Sequence, residues 1–391
     1  MKKLLGVFLT IGMVVSMLSG CGSTAKNSST SSATAASAAA EVSAAVSAEA
    51  TSDAAKSEAV DGSKMKIALL IPGNLGDKSF FDGSKAALDE IGKKFGAKTD
   101  YVEMGTDASK YEATYEDYCE DGYDLILTIS TAGDDTLKKM AQEYPDQKFI
   151  NLDTDSEGFP SNVLPVTTKS NEMSALAGVV AALKAKDAGS NEIGFIGGMD
   201  IPGINYFLVG YIEGAQSVNP DIKVNASYVG SFTDSAKAKE LAGIMYQSGV
   251  PIIYQAAGGS GLGVFEAAVA ADKLAIGVDS DQALSLEEGS PDEAKHIVTS
   301  AEKLASVYAV DLVEKYIKGE LTFGTKMVLG LKEGAVGIAK NTYYDSLMTD
   351  EEKKTVDDME QKIISGEVKL TDTTALTTDQ ITKIRSSVAP Q

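Results

Sequence analysis

Short apolar runs alternate along the chain with longer stretches in which apolar residues recur every three or four positions. The first pattern is typical of buried strands and the second of amphipathic helices. The predicted strands lie at 67–71, 99–103, 125–129, 149–153, 163–166, 193–196, 224–229, 252–255, 275–278 and 296–298. The predicted helices include 79–93, 172–185, 206–218, 234–247 and 261–271.

This alternation of strand and helix predicts an α/β fold with parallel sheets covered by helices. The strands form two successive series, each long enough for one doubly wound sheet, and therefore predict two Rossmann-like lobes. In such sheets, ligands bind beyond the carboxyl ends of the strands. With two lobes, the binding site is expected in the cleft between them.

The chain starts with two lysines, an apolar stretch at 4–18 and small residues before Cys21. This is the pattern of a secretory signal peptide, and its apolar stretch is too short to span a bilayer comfortably. The sequence Leu-Ser-Gly-Cys at 18–21 also resembles a bacterial lipobox. That resemblance implies a signal peptide at 1–20, lipid on Cys21 and an anchor at the extracytoplasmic face of the cell membrane. An ordinary signal peptide with a chance cysteine is the alternative.

The segment 22–63 consists mostly of Ala, Ser and Thr and contains no aromatic residue. It cannot bury enough apolar surface to offset the entropy of ordering it, so 21–63 is expected to be a lipidated cysteine and a disordered linker. The first buried-strand pattern begins near residue 64. The folded part is therefore expected to span 64–391, which is too long for one core and fits two lobes.

Charge and composition exclude several classes of function. The chain has 35 basic and 56 acidic residues, a net charge of −21, which disfavours binding to nucleic acid or to an anionic membrane surface. Cys119 is the one thiol after Cys21, so no intrachain disulfide is expected. With His296 as the single histidine, neither a Cys/His zinc site nor a Ser-His-Asp or Cys-His nucleophile is expected. We expect no cofactor.

Polar or glycine-rich turns follow many of the predicted strands, at the expected edge of the cleft. They lie at 76–82, 130–135, 197–202, 256–261, 277–282 and 299–303. Ser79 and Asp82 have the spacing of a capping box, so Ser79 is expected to cap the helix that follows. Phe80 then lies at the start of that helix, near the cleft. The last turn is expected to open a helix.

The chain contains six short motifs in a fixed order, most of them in or beside these turns. They are DKSF at 77–80, GFIGGMDIP at 194–202, the spacing Phe207–Gly210–Gly214, GSFTD at 230–234, GVDSDQ at 277–282 and TSxxK at 299–303. In these motifs the chain resembles the basic membrane protein family of bacterial lipoproteins, the purine-nucleoside receptors of ABC importers. The resemblance covers 65–340. It implies a substrate-binding protein that works with a membrane permease and an ATPase, and we expect a monomer.

The resemblance implies a type I periplasmic-binding-protein fold, in which two lobes are joined by three hinge crossings. We place the crossings near 166–169, 278–281 and 321–326. Lobe 1 is then 64–166 plus about 281–322, and lobe 2 is about 167–280 plus 323–391.

The resemblance also assigns roles to single residues. Phe80 and Phe207 are expected to hold a purine ring between them from opposite lobes. Asp135, or its neighbour Asp134, is expected to accept hydrogen bonds from the base, and the choice between the two stays open. Asp134 and Asp135 also fit a second interpretation, as helix-capping residues that complement the helix dipole.

Asp279 is expected to accept hydrogen bonds from ribose hydroxyls, because an ionised acceptor pairs well with such donors. Lys303 is expected to donate to a ribose oxygen and to keep Asp279 ionised. Gly258 and Gly259 allow close approach of the backbone to the ligand. As alternatives, Phe80 and Phe207 are core aromatics, and Asp279 is a loop acid or a hinge cap.

Asp77 and Ser79, from the first motif, and Phe81, directly after it, complete the expected set of ligand-binding residues. Phe81 departs from the family, which usually has asparagine at this position. The exchange removes an amide and adds a second aromatic ring. It is expected either to change ribose recognition or to shift the ligand preference.

The expected function is that of a binding lipoprotein which closes on a nucleoside and hands it to a permease. The same fold also suits a sugar or another small polar metabolite, because fold does not fix function. A ligand sensor without a transport role is a further alternative. An extracytoplasmic nucleoside hydrolase would need a metal site or a general-base cluster, which the sequence does not suggest, so no enzyme activity is expected.

Overall fold

The computed structural model describes residues 60–390, so the predicted signal peptide, the Cys21 anchor and most of the predicted linker lie outside the described residues. The strands are β1 (Lys66–Ile71), β2 (Lys98–Glu103), β3 (Leu125–Thr128), β4 (Phe149–Asn151), β5 (Val163–Thr168), β6 (Glu192–Gly197), β7 (Lys223–Tyr228), β8 (Ile252–Ala256), β9 (Leu274–Asp279), β10 (Ile297–Lys303), β11 (Met327–Leu329) and β12 (Val336–Ile338). The helices are α1 (Phe80–Phe95), α2 (Tyr111–Glu120), α3 (Asp134–Glu143), α4 (Ser170–Asp187), α5 (Pro202–Val218), α6 (Ser235–Gln247), α7 (Leu262–Ala271), α8 (Gln282–Glu287), α9 (Pro291–Ala294), α10 (Ala305–Ile317), α11 (Thr342–Leu347), α12 (Asp350–Ser365) and α13 (Thr378–Ser387).

The strands form two six-stranded sheets, in the orders β11-β5-β4-β3-β1-β2 and β12-β10-β9-β8-β6-β7. Every neighbouring pair is parallel except β10 and β12, which are antiparallel. In each sheet the strand order reverses beside the first strand, at β1 and at β6, as in doubly wound folds. The predicted α/β fold with two Rossmann-like lobes is confirmed.

The central strand β1 shows why its sequence is an unbroken apolar run. Ile67, Leu69 and Ile71 face a core that includes α1 and α10, whereas Ala68 and Leu70 face a core that includes α2 and α3. Successive strand residues point to opposite faces of a sheet. Both faces are covered here, so no position of 67–71 remains for a polar residue.

The spacing of Gly210 and Gly214 is explained by the packing of α5 on α4. A Cβ atom at Gly210 would lie 2.2 Å from the carbonyl oxygen of Asn171, and one at Gly214 would lie 1.9 Å from that of Ala175. Side chains larger than hydrogen would force the two helices apart. The glycines therefore fix the position of α5, which also carries Phe207.

The strand pairing corrects two of the predicted hinge crossings. β10 pairs with β9, so the chain stays with the second sheet until Lys303 and not only to 278–281. It then enters α10, which belongs to the core of the first sheet, and β11 pairs with β5. The last crossing therefore follows Leu329, later than the predicted 321–326. We call 66–168 with 305–329 lobe 1, and 170–303 with 336–390 lobe 2.

The prediction that 299–303 opens a helix is wrong, because these residues are the second half of β10. The polar side chains there resemble a helix start but are satisfied inside the sheet. Thr299 donates to the carbonyl oxygen of Ala339 at 2.6 Å, and the hydroxyl of Ser300 accepts from the backbone N–H of Gln282 at 3.1 Å. Within 60–390, none of the helices combines the length and the apolar character that crossing a membrane requires.

Candidate functional site

A cavity lies at the carboxyl ends of the strands, where lobe 1 faces lobe 2. Both lobes contribute to its wall, as expected for a two-lobed α/β protein. Its lining residues are Phe80, Gly83, Ser84, Ile129, Ala305 and Tyr308 from lobe 1 and Asp279 and Lys303 from lobe 2.

Asp77, and not Ser79, binds the free backbone N–H groups at the start of α1. Its carboxylate accepts hydrogen bonds from the N–H groups of Ser79 and Phe81 at 3.0 Å each and from that of Asp82 at 3.2 Å. Burial raises the pKa of Asp77, although these three bonds oppose the shift. Since its oxygens already serve α1, Asp77 positions Phe80 at the cavity wall.

The predicted capping role of the Ser79 side chain is therefore wrong, because this hydroxyl makes no cap hydrogen bond. It reaches across the cleft instead. Ser79 Oγ lies 3.0 Å from the carbonyl oxygen of Val278 and 3.2 Å from Asp279 Oδ2. Beside it, the hydroxyl of Ser280 donates to the carbonyl oxygen of Lys78 at 2.9 Å, so the α1 loop is tied to the end of β9.

Lys303 is the positive charge at the centre of the site. Its Nζ donates to Asp153 Oδ2 at 2.7 Å and lies 3.8 Å from Asp279 Oδ1. Its side chain is 9% exposed. Burial lowers the pKa of this amine, but the attraction of Asp153 and Asp279 prevails and raises it, so Lys303 is charged at neutral pH.

Asp279 carries the one carboxylate oxygen of this site that is not committed to a protein donor. Its Oδ1 is buried without a hydrogen-bond partner among the described residues. Burial raises the pKa of Asp279 to about 6, and the charges of Asp153 and Asp77 add to the shift, while Lys303 and the Ser79 hydroxyl oppose it. A buried acceptor without a donor costs stability, so a ligand that donates a hydrogen bond to this oxygen would be favoured.

Phe80 and Phe207 flank the Lys303 ammonium from opposite lobes. The ring centroid of Phe80 is 4.9 Å from Lys303 Nζ and that of Phe207 is 5.1 Å from it. The two ring centroids are therefore at most 10.0 Å apart. A flat ring between two others needs a separation of about 7 Å, twice the ~3.5 Å contact distance of carbon atoms, which lies within this upper limit.

The two candidates for the base contact are placed very differently. Asp134 is buried and accepts hydrogen bonds from Asn151 Nδ2 and Thr154 Oγ1 at 2.6 Å each, so both of its oxygens serve lobe 1. Burial raises the pKa of Asp134. Asp135 is exposed in the first turn of α3. Neither residue lines the cavity described above.

Phe81 and the two predicted glycines lie next to the cavity without lining it. The Phe81 ring fills the space over Gly73, where a Cβ would be 2.3 Å from it. Gly258 has a φ of 53°, which favours glycine. Gly259 faces the other lobe, since a Cβ there would lie 3.8 Å from that of Asp77.

The sequence did not indicate two further cleft residues. Asp153, the hydrogen-bond partner of Lys303, was counted as the last residue of a predicted strand, but β4 ends at Asn151. Asp155 accepts a hydrogen bond from the Tyr206 hydroxyl of lobe 2 at 2.9 Å. Both acids belong to the segment after β4. A rule that treats acids at or just beyond the end of a predicted buried strand as cleft candidates would have found them.

The polar and aromatic side chains of the cleft suit the binding of a small molecule. Within 60–390, no three His, Cys, Asp or Glu side chains are arranged to hold a metal ion. The cleft instead combines two aromatic rings, one cation and an unpaired carboxylate oxygen. Such a site recognises a small ligand that has an apolar face and hydroxyl donors.

Comparison with known proteins agrees with this geometry. The family model described as ABC transporter substrate-binding protein PnrA-like matches residues 64–374. The ABC transporter nucleoside-binding protein BmpA of Lactococcus lactis is 35% identical over 318 residues, which cover 78% of this chain and 88% of that protein. Basic membrane protein A of Borreliella burgdorferi is 31% identical over 308 residues, 78% of this chain and 86% of that protein.

The solved structures of similar proteins support the type I periplasmic-binding-protein fold. An ABC transporter solute-binding protein from Aeropyrum pernix matches with a TM-score of 0.70 and 25% identity, over 84% of this chain and 100% of that one. An ABC transporter solute-binding protein from Conexibacter woesei is 22% identical and matches with a TM-score of 0.66, over 79% of this chain and 99% of that one. The family model and these relatives together show that the chain belongs to the PnrA-like family of ABC transporter substrate-binding proteins.

Proposed function

We propose that this protein binds a purine nucleoside in the cleft and delivers it to the permease of an ABC importer. In this proposal, lipid on Cys21 holds it at the extracytoplasmic face of the membrane, where it acts as a monomer without enzymatic activity. The observation that carries the proposal is the buried Asp279–Lys303 pair flanked by Phe80 and Phe207.

Each part of a nucleoside has a counterpart in this arrangement. In this proposal the base lies between the rings of Phe80 and Phe207, where each aromatic contact adds about 0.5–1.5 kcal/mol beyond burial. A ribose hydroxyl supplies the donor that Asp279 Oδ1 lacks, and Lys303 can donate to a ribose oxygen. The name of the Lactococcus lactis relative gives independent support for a nucleoside ligand.

Charge disfavours a phosphorylated ligand at this site. Asp77, Asp153 and Asp279 all lie close to the cavity, and Lys303 is already shared between two of them. A phosphate group would add about two negative charges to this surrounding. Nucleosides are therefore expected to bind more tightly than the corresponding nucleotides.

A thermal-shift screen tests the proposal directly. The chain from residue 22 onward is heated with inosine, guanosine, adenosine, hypoxanthine, GMP or D-ribose. A ligand that binds only the folded form raises the free energy of unfolding, by about 2.7 kcal/mol at one hundred times its Kd, and therefore raises Tm. We expect the largest shifts with the purine nucleosides. A clear shift with a sugar and none with any nucleoside would refute the proposed ligand.

Replacing Phe207 by leucine is expected to weaken inosine binding about five- to tenfold, because the variant retains an apolar side chain but loses the ring contact. Titration calorimetry measures the change. Phe265→Leu is the matched control, since Phe265 is a fully buried aromatic of the same lobe in a separate core cluster. It should lower Tm without changing Kd. Equal affinities of the Phe207 variant and the original chain would remove this ring from the site.

A further inference from the structure

The C-terminal helix α13 contains the only arginine of the chain, Arg385. This helix follows the segment 64–374 that matches the family model. It is nevertheless part of lobe 2, because Ile381 and Val388 are buried. The backbone N–H of Val224 in β7 also donates to the carbonyl oxygen of Val388 at 2.8 Å.

Arg385 takes part in a closed set of polar contacts at the start of α5, which we call the Arg385 network (Arg385, Asp200, Asn205 and Tyr228). Arg385 Nη1 donates to Asp200 Oδ2 at 3.0 Å, and its guanidinium lies 5.3 Å from the centre of the Tyr228 ring. The other Asp200 oxygen accepts from Asn205 Nδ2 at 2.8 Å. The Tyr228 hydroxyl donates to Asn205 Oδ1 and so completes the network.

The network acts on the helix turn that carries two cleft residues. Asn205, Tyr206 and Phe207 are consecutive in α5. Asn205 belongs to the network, Tyr206 donates across the cleft to Asp155, and Phe207 contacts the Lys303 ammonium. A rotation of this turn would therefore move both the hydrogen bond between the lobes and the aromatic wall of the site.

No side chain of its own caps this turn. Its N-cap residue is Ile201, which has no side chain able to bind the free N–H groups, and Pro202 and Gly203 follow. Proline suits the first helical position, but glycine is a poor helix former, so the turn still lacks a cap and a strong helix former at its second position. The charge on Asp200 is maintained: burial opposes its ionisation, but the bonds from Asn205 and Arg385 prevail and lower its pKa.

We propose that Arg385 is a positioning residue for ligand binding, which holds the first turn of α5 in the geometry that the closed cleft requires. It acts through Asp200 and Tyr228 and does not line the cavity. The alternative is an ordinary surface ion pair that adds slightly to stability. The effect on nucleoside affinity rests on the proposed function, whereas the effect on the α5 turn does not.

The test compares Arg385→Gln with the original chain and with Lys340→Gln. Lys340 is a matched control, because it also belongs to lobe 2 and pairs with two surface carboxylates, Asp357 and Glu360, away from α5. We expect Arg385→Gln to weaken inosine binding about three- to tenfold, in the range of indirect coupling effects, and Lys340→Gln to leave it unchanged. Arg385→Lys, which retains the charge, should recover part of the affinity.

Two further measurements separate positioning from general stability. Hydrogen exchange of the backbone N–H groups at 203–207, without ligand, should become about tenfold faster in Arg385→Gln and remain unchanged in Lys340→Gln. In a double-mutant cycle, Arg385→Gln should cost less affinity once Tyr206→Phe has removed the hydrogen bond to Asp155 than it costs in the original chain.

Unchanged exchange at 203–207 in Arg385→Gln would overturn the proposal, as would additive losses in the cycle. If Arg385→Gln does not fold, Arg385→Lys and Asp200→Asn are measured by the same exchange experiment. If the original chain binds no nucleoside, the proposed function is wrong, and hydrogen exchange alone decides whether Arg385 positions the α5 turn.

Discussion

Asp279→Asn is expected to weaken purine nucleoside binding about 100-fold without disturbing the fold. The amide has the same shape but presents a neutral acceptor, and hydrogen bonds to a charged group are worth about 1.5–3 kcal/mol each. Lys303 also loses one of its two carboxylates. Asparagine is the suitable replacement because Asp279 has a φ of 65°, a left-handed conformation that asparagine tolerates better than alanine does. Titration calorimetry with inosine measures the loss.

Asp272→Asn is the matched control for this substitution. Asp272 also belongs to lobe 2 and has a positive φ of 51°, but its side chain is fully exposed at the end of α7. The control variant should bind inosine as the original chain does. Undiminished affinity in Asp279→Asn would show that this carboxylate does not touch the ligand.

The same variant should lose a pH dependence of stability. The pKa of Asp279 is raised to about 6 in the folded chain, from an ordinary value of 3.8. The folded state therefore binds this proton more tightly than the unfolded state does. Its stabilising effect is present below the ordinary pKa and is lost as the pH rises to about 6. Between pH 4 and pH 6, the stability of Asp279→Asn should fall less than that of the original chain.

Much of the fold could be predicted from the apolar pattern, because a strand buried on both faces is apolar along most of its length. Residues 67–71 of β1 and 252–254 of β8 are examples. The second half of β10 could not be predicted in this way. Thr299 and Ser300 are polar yet fully buried, and only their partners in other elements make them acceptable in a strand.

The candidate site could be predicted in part, since motif order brought Phe80, Phe207, Asp279 and Lys303 together on opposite walls of one cleft. Their roles toward a ligand stay predictions. Sequence spacing could not separate Asp134 from Asp135, because the choice depends on Asn151 and Thr154, which fold against Asp134 from the next strand and turn. Contacts between lobes, such as that of Tyr206 with Asp155, have no signal in a single sequence.

Lys303→Met is expected to abolish detectable nucleoside binding and to lower Tm at pH 7 by roughly 5 °C. Removing one partner of a buried ion pair costs about 3–5 kcal/mol, and 1 kcal/mol corresponds to roughly 1.4 °C in a fold of about 330 residues. Asp153 and Asp279 would then face each other, with Asp77 nearby, and without the cation that both now share. Calorimetric melting at several pH values measures the effect.

The loss of Tm in Lys303→Met should depend on pH. Without Lys303, the pKa of Asp279 should rise further, because the attraction that now opposes burial is removed. A carboxyl group whose pKa is raised in the folded state destabilises that state above this pKa. Lowering the pH from 7 to 5 should therefore restore much of the lost Tm. Asp153→Asn in the same chain should restore stability at pH 7 as well, since it removes one of the repelling charges, but it should not restore binding.

Lys184→Met is the control that distinguishes the effect of Lys303 on ligand binding from the general loss of stability that removal of a buried charge causes. Lys184 is matched to Lys303 in burial, at 8% exposure, and also contacts two carboxylates, Asp187 at 2.6 Å and Glu352 at 2.8 Å. It lies in α4, away from the residues that line the cavity. Both variants should melt earlier, but Lys184→Met should bind inosine normally. A Lys303→Met chain that retains inosine affinity would contradict the central role of this lysine, and one whose Tm at pH 7 is unchanged would contradict the charge argument.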